Sequence, residues 1–241
     1  MSDMTFDVLI LIARPASGKS EVIHFLKGLA PADRRTRFHV DGLVELDDFP
    51  MLWAWFEEDD ILERLGHDRL HTTPDRYFKH DILWHVLIER ISLEHSKLLR
   101  DRPNLYDGHT VLIEFSRGAQ HGGYQAAFQH LSEDILRRAA VLYIEVSYAE
   151  SLRKNRRRYD PERPDSILQH ALSDEKMERI YREDDFRVFS AADPAWLAVK
   201  GARVPYVVFE NEDDVTTDRP DLLARRLEMR LEQLWALRRM A

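Results

Sequence analysis

The chain of 241 residues contains no cysteine and only nine glycines. The absence of cysteine excludes disulfide bonds, thiolate catalysis and cysteine-ligated zinc. Long apolar runs are also lacking, because stretches such as residues 8–13 are far shorter than the about 20 residues that a membrane-spanning helix needs. The opening MSDMTFD is polar and is not typical of a secretory signal. We therefore expect a cytoplasmic protein that does not bind membranes.

Net positive charge is lacking as well, since the formal net charge is -8 at pH 7. Proteins that bind nucleic acids or membranes over a whole face usually carry net positive charge, so we expect neither partner. An anionic ligand must instead meet a local basic patch. With 44% hydrophobic residues, the chain can bury one full core, and we predict a single domain over residues 1–241.

Short aliphatic runs alternate with helical patterns along the chain. Five runs have the length and the Val, Ile and Leu content of buried strands, namely residues 7–12, 38–41, 110–115, 140–146 and 204–210. Because helical segments separate them, they predict a five-stranded parallel sheet with helices on both faces, a three-layer α/β/α fold. The last helix is predicted to begin at Pro220, with a stripe of leucines facing the core.

One loop carries a strong chemical signal. Residues 13–20 read Ala-Arg-Pro-Ala-Ser-Gly-Lys-Ser between the first predicted strand and an amphipathic helix. The phosphate-binding loop of nucleotide hydrolases and kinases reads G-x-x-x-x-G-K-[ST] in that same context, and only its first glycine, here Ala13, differs. Alanine resists positive φ, so Ala13 implies a slightly different entry into the loop rather than loss of the site.

Such a loop binds phosphate through its backbone. Successive N–H groups form a concave nest at a helix N-terminus, where the helix dipole favours anions. Lys19 is expected to reach the β- and γ-phosphates of ATP, and the Ser20 hydroxyl to bind the accompanying Mg²⁺. With one residue from a later basic segment, the predicted nucleotide-binding residues are Arg14, Pro15, Ala16, Ser17, Gly18, Lys19, Ser20, Glu21 and Arg153.

Other nucleotide-binding classes lack their motifs here. The sequence contains no N-K-x-D guanine-reading motif and no L-S-G-G-Q signature of transporter ATPases. It also lacks a second domain large enough for the lid of a ring ATPase. These observations favour a small-molecule kinase.

Two further segments extend the pattern. The third predicted strand ends in Glu114-Phe115-Ser116-Arg117. Together with the loop RPASGKSEV, this turn resembles the nucleoside monophosphate kinase group, the adenylate-kinase-like P-loop kinases, whose turn reads D-G-F-P-R. The resemblance implies that Glu114 joins Ser20 at the Mg²⁺ and that Arg117 binds a phosphate. A glutamine just beyond the turn reads the acceptor base in that family, and Gln120 and Gln125 are both candidates.

Residues 151–166, SLRKNRRRYDPERPDS, form a local basic patch on an acidic protein, with six Lys or Arg residues. The segment is similar to the arginine-rich lid of the same family, which implies a lid over residues 151–185. By this resemblance Arg153, Arg157 and Arg163 close over the transferring phosphoryl group. Phosphoryl transfer requires positive charge around the equatorial oxygens in a site that excludes water.

Residues 42–100 form a long insertion, at the place where the family has its helical acceptor-binding domain. The stretch 41–63 carries nine acids and no Lys or Arg, interleaved with aromatic residues that are suited to line a pocket. Asp41 is predicted at the carboxyl end of the second strand, where parallel sheets bind ligands. It is a candidate general base toward a hydroxyl acceptor or an outer partner of the Mg²⁺.

The sequence therefore predicts an ATP- and Mg²⁺-dependent phosphotransferase, with a nucleotide or nucleoside as the first choice of small-molecule acceptor. Two alternatives stay open: a kinase for another hydroxyl acceptor, and a non-catalytic ATP-binding sensor or partner module. The pattern gives no indication of oligomeric state. The predicted catalytic residues are Lys19, Asp41, Arg117, Arg153, Arg157 and Arg163.

Overall fold

Six strands form one sheet in the computed structural model, which describes residues 4–158 and 171–240. The strands are β1 (Val8–Ala13), β2 (Gly42–Asp47), β3 (His109–Phe115), β4 (Ala139–Glu145), β5 (Trp196–Val199) and β6 (Ala202–Glu210). Their spatial order is β2-β3-β1-β4-β6-β5. All neighbouring strands are parallel except β5 and β6, which are antiparallel.

Helices connect the strands. They are α1 (Lys19–Gly28), α2 (Pro31–Phe38), α3 (Phe49–Arg64), α4 (Ile82–Asp101), α5 (Gly123–Gln129), α6 (Glu133–Arg138), α7 (Tyr148–Arg158), α8 (Asp174–Tyr181), α9 (Phe186–Phe189), α10 (Val215–Asp218) and α11 (Pro220–Arg238), with a 3₁₀ helix at Ala119–His121. Among the described residues, no helix is both long and apolar enough to cross a membrane.

The sheet separates two hydrophobic layers. Alternate residues of β1 face opposite sides: Val8 and Ile10 join one cluster, and Leu9 and Leu11 join the other. Helices α4, α5 and α6 cover the first face, and α1 and α11 cover the second. This arrangement gives three layers, α/β/α, and it explains why β1 is apolar at every position. The predicted leucine stripe of α11 is buried, as expected.

The sheet differs from the prediction at both edges. Residues 38–41 are not the second strand, because α2 continues to Phe38 and β2 occupies Gly42–Asp47. This edge strand is only partly buried and alternates acidic with aliphatic residues, so it lacks the continuous apolar run of a central strand. The antiparallel edge strand β5 was not predicted, which makes six strands instead of five.

The region predicted as a helical insertion, residues 42–100, contains β2 followed by α3 and α4. A third apolar cluster joins these two helices to α8 through residues such as Trp84, Leu87, Met177 and Tyr181. Helices α3, α4 and α8 thus form a wall beside the sheet. That wall faces the carboxyl ends of β2 and β3.

Candidate active site

The predicted phosphate loop lies between β1 and α1. Ala13 is the buried last residue of β1, so its backbone is extended and an alanine fits there without strain. The left-handed conformations come later in the loop, at Ala16 (φ 55°) and Gly18 (φ 110°). The missing first glycine therefore falls at a position where this chain does not require one.

Gly18 is required for two reasons. Its φ favours glycine, and a Cβ at this position would lie 2.7 Å from Asn211 Nδ2 and 2.8 Å from Thr216 Oγ1. Asn211 is buried and donates from Nδ2 to the Ser17 carbonyl at 2.8 Å. Our sequence reasoning missed this support, although Asn211 directly follows β6, at the carboxyl edge of the sheet where site residues cluster.

Lys19 crosses from the loop to the end of β3. Its Nζ donates to Ser116 Oγ at 2.7 Å. Burial lowers the pKa of Lys19, while the carboxylates of Glu114 and Asp47 act in the opposite direction. The ammonium group is thus held at the carboxyl edge of the sheet, near acidic side chains. The structure brings together the loop and the turn that the sequence singled out.

Two carboxyl groups lie side by side at this edge. Asp47 and Glu114 are register partners, as the last residue of β2 and the second-last of β3. Burial raises the pKa of Glu114. Burial and the neighbouring charge of Glu114 raise the pKa of Asp47 to about 8. Like charges held this close disfavour each other's ionisation, so a cation is the natural complement of the pair.

These carboxyl groups fit a Mg²⁺ ion. Glu114 Oε2 is buried and has no hydrogen-bond partner in the part of the chain that the structure describes. Ser20 is exposed in the first turn of α1. Oxygen ligands suit this ion, which takes few protein ligands and completes its shell with phosphates and water. Among the described residues, no group of three or more His, Asp or Glu side chains is arranged to hold a metal ion.

A cavity of about 370 Å³ opens in front of the loop. The loop, the turn after β3, the start of α3, and α4, α7 and α8 all line it. Its lining residues include Gly18, Lys19, Ser20, Asp47, Asp48, Phe49, Trp84, Glu114, Ser116, Arg117, Asn155, Arg158, Leu172 and Tyr181.

Arg117 lines this cavity but is already paired. Its side chain is 2% exposed, and Nη1 donates to Asp48 Oδ2 at 2.6 Å and to the Ser116 carbonyl at 2.7 Å. Nη2 donates to the Trp84 carbonyl at 3.1 Å. Both terminal nitrogens are occupied, so Arg117 joins the β3 turn to α3 and α4. The ion pair with Asp48 was not predicted, because the two residues are 69 positions apart.

Asp41 does not lie where the sequence placed it. It precedes β2, so it is at the amino end of the strand, on the edge opposite the loop. Arg35 donates to both of its oxygens, at 3.0 and 2.9 Å, and Thr110 Oγ1 accepts from its backbone N–H. Burial by itself raises the pKa of Asp41, but the hydrogen bonds from Arg35 and Gly42 make the net shift downward. Asp41 is a structural ion-pair partner, and Asp47 occupies the predicted position.

Two other predicted nucleotide-binding residues, Arg14 and Glu21, contact other side chains of the protein. The Arg14 guanidinium donates to the carbonyls of Val146 and Tyr181 and pairs with Asp184 at 2.8 Å. It ties the loop to β4 and α8 and does not line the cavity. Glu21 lies 3.7 Å from Arg158.

The basic segment divides between structural and cavity-lining residues. Arg153 and Arg157 on α7 pair with Asp214, at 2.8 and 3.5 Å, and neither is among the residues lining the cavity. Arg158, one residue further, lines it. Arg163 and part of the predicted lid over 151–185 lie outside the described residues. The α8 part of that range is docked on the 3₁₀ helix, so closely that a Cβ on Gly118 would overlap the Ile180 carbonyl.

A second cavity of about 260 Å³ continues from the first. The two share Phe49, Leu52, Trp84, Leu172 and Tyr181 as lining residues. Of the two candidate glutamines, Gln120 lines the second cavity. The loop thus faces one end of a longer channel between the sheet and the helical wall.

Comparisons with known proteins found weak similarity to solved structures. No protein-family model and no curated protein matches the chain. Among solved structures, the chain is similar to a gluconokinase from Sinorhizobium meliloti 1021, with 13% identity and a TM-score of 0.42 over 98% of both chains. It is also similar to APE1195, with 15% identity and a TM-score of 0.40 over 99% of this chain and 97% of that one. At these scores, functional conclusions depend on the site itself.

Proposed function

We propose that the protein is a phosphotransferase that moves the γ-phosphoryl group of ATP to a small acceptor. One observation carries the proposal. Lys19 spans from the phosphate loop to Ser116, beside the Asp47 and Glu114 carboxyl pair, at the mouth of a cavity that continues into a second one. A hydrolase needs room for the nucleotide and water alone, whereas the additional cavity offers room for an acceptor.

The chain's own residues have separate tasks in this reaction. Backbone N–H groups of the loop hold the β- and γ-phosphates, and Lys19 neutralises their charge. Ser20 and Glu114 would hold the Mg²⁺, which would supply positive charge to the phosphate oxygens. Arg158 lines the same cavity, 3.7 Å from Glu21, and is the α7 arginine that we assign to the transferring group. Catalysis of this kind depends on positioning and charge.

The helical wall limits access of water to the site. Phe49, Trp84, Leu172 and Tyr181 line both cavities and lie between the phosphate loop and the far end of the channel. Excluding water strengthens the electrostatic contacts of the loop and prevents ATP hydrolysis. Asp47 and Asp48 line the first cavity near the turn that follows β2, where a hydroxyl acceptor would lose its proton.

The proposal is tested by ATP consumption with Mg²⁺ against nucleoside monophosphates, nucleosides and hydroxyl compounds. We expect turnover that depends on an acceptor and falls roughly 100- to 1,000-fold in Lys19→Ala, because a charge contact to the transition state is lost. Lys27→Ala is the matched control, since Lys27 lies on α1 and pairs with Glu45 at the surface. ATP binding without turnover on any acceptor would instead favour a non-catalytic nucleotide-binding module.

A further inference from the structure

The second cavity is basic, although the protein is acidic. Three cations line it, Arg76, Lys176 and Arg179, and Asp81 is the only acid among the described residues that do so. Asp81 lies 3.2 Å from His121. None of the three cations lines the cavity at the phosphate loop. Positive charge is therefore concentrated at the end of the channel away from Lys19.

Two of these cations have no hydrogen-bond or ion-pair partner among the described residues. Arg76 pairs with Asp60 at 3.1 Å. Lys176 Nζ and the Arg179 guanidinium make no hydrogen bond or ion pair with any residue of 4–158 or 171–240. They lie instead against the ring of Tyr77, at 5.3 and 4.3 Å from its centroid.

The spacing of these two residues directs both to the same place. Lys176 and Arg179 are three positions apart on α8, so they share one face of the helix. Burial lowers the pKa of Lys176, with the charge of Arg76 acting in the same direction and those of Asp75 and Glu175 opposing it. Lys176 is partly buried and Arg179 is exposed, so an anion in the cavity would offset the partial burial of the Lys176 charge and could pair with both cations.

The opposite end of the channel is suited to a neutral group. Asp47, Asp48 and Glu114 line it, and none of these three groups offers positive charge to an acceptor phosphate. Lys19 and Arg158 face the region assigned to the donor phosphates, and both terminal nitrogens of Arg117 are occupied. Among the described residues that line this end, Lys19 and Arg158 are thus assigned to the donor and Arg117 is held by Asp48, with its buried Nε left without a partner. A hydroxyl acceptor does not need a cation.

We infer that the acceptor is an anionic hydroxyl compound, which binds with its carboxylate or phosphate against Lys176 and Arg179 and its hydroxyl toward Lys19. The inference rests on the proposed phosphotransferase function. In the reaction, the hydroxyl oxygen forms a bond to the γ-phosphorus while the bond from that phosphorus to the β,γ-bridging oxygen breaks. The hydroxyl proton passes to a carboxylate at the β2–α3 turn or to solvent. The products are ADP and a phosphate monoester.

Matched acceptors test the assignment. ADP formation by the full chain with Mg²⁺ and ATP is measured with glycerol, glycerate and glycerol 3-phosphate, and with xylitol, xylonate and xylitol 5-phosphate. Each set keeps the carbon chain and changes only the anionic group. We expect kcat/KM at least tenfold higher for an anionic member than for its neutral polyol. The carboxylate and phosphate arms distinguish the two sources of negative charge.

Variants locate the effect. Arg179→Gln is expected to lower kcat/KM for the preferred anionic acceptor by at least tenfold, mainly through KM, and to leave the neutral polyol unchanged. Lys176→Gln is expected to act in the same direction. Arg239→Gln is the matched control, because Arg239 is exposed at the end of α11 and far along the chain from the cavity. Thermal melting confirms that each variant is folded.

A binding measurement separates this inference from the proposed function. Trp84 lines the channel, so its fluorescence is expected to respond to the anionic compounds when a non-hydrolysable ATP analogue is bound. Binding that Arg179→Gln abolishes, without turnover, would support the anion site and contradict the phosphotransferase. Equal use of neutral and anionic acceptors, equal effects of Arg179→Gln on both, or conversion of a nucleoside monophosphate to its diphosphate would overturn the inference and leave the phosphotransferase intact.

Discussion

Two acidic sites of this protein differ in how their carboxyl oxygens are hydrogen-bonded. At the carboxyl edge of the sheet, Asp47 and Glu114 lie side by side, and Glu114 Oε2 has no hydrogen-bond partner among the described residues. In the helical wall, Asp59 in the second half of α3 is fully buried. It accepts hydrogen bonds from the backbone of Leu70 and from both the backbone and the hydroxyl of Thr72, at 2.6–2.7 Å.

The pKa values of the two sites move in opposite directions. Burial and neighbouring carboxylates raise the pKa of Asp47 to about 8. The unfolded chain therefore releases this proton first, and stability falls as the pH rises from 3.8 toward 8. Burial alone would raise the pKa of Asp59 too, but the hydrogen bonds from Thr72, Leu70 and His71 outweigh it and lower the pKa. A buried carboxylate whose oxygens accept hydrogen bonds is typical of a structural acid. A buried carboxyl oxygen without a hydrogen-bond partner indicates a candidate ligand site.

The largest expected effect concerns Asp59. Asp59→Asn replaces one acceptor oxygen by an NH₂ group that faces N–H and O–H donors, so we expect a loss of roughly 2–3 kcal/mol in the free energy of unfolding. Urea unfolding measures it. Asp60→Asn makes the same change one residue away, on an exposed carboxylate, and should cost less than Asp59→Asn because the buried Arg69 keeps its second partner, Glu63. Equal losses in the two variants would show that the hydrogen bonds of Asp59 contribute little.

Glu114→Gln should affect function and spare stability. It removes an oxygen ligand from the proposed Mg²⁺ site, so we expect the Mg²⁺ concentration for half-maximal ATP turnover to rise by roughly tenfold or more. It also removes repulsion with Asp47, so the free energy of unfolding without nucleotide or metal should stay the same or increase. A marked loss of stability with unchanged Mg²⁺ dependence would place Glu114 with Asp59 as a structural acid.

The smallest expected effect is a pH dependence. Because the folded pKa of Asp59 lies below 3.8, its contribution to stability is complete above that pH and is lost as the pH falls further. The difference in unfolding free energy between wild type and Asp59→Asn should be constant from pH 7 to 5. It should narrow at pH 3.5 by a fraction of the about 1.4 kcal/mol that one pKa unit represents. A difference that already narrows between pH 7 and 5 would contradict the assigned direction of the shift.

Local patterns predicted the parts of the site that depend on neighbouring residues. These parts are the phosphate loop, the helix that follows it and the turn at Glu114. Their places follow from the order of strands, loops and helices, which the spacing of apolar residues along the chain predicts. Asp41 was misplaced because β2 is a partly exposed edge strand, and a shift of six residues moved Asp41 from one edge of the sheet to the other. The spacing of Lys176 and Arg179 indicates that they share one face of a helix. Only the packing of α8 shows that this face lines the second cavity.

The sequence by itself determined the buried parallel sheet and the loop that follows its central strand. Apolar runs and a motif at one contiguous place dictate both. The tertiary structure alone decided which charges are paired. Arg117 with Asp48, Arg14 with Asp184 and Arg153 with Asp214 are all distant along the chain, and their pairing depends on how the helices pack on the sheet. The sequence identifies an arginine as a positive charge, but only the folded chain determines which carboxylate it pairs with.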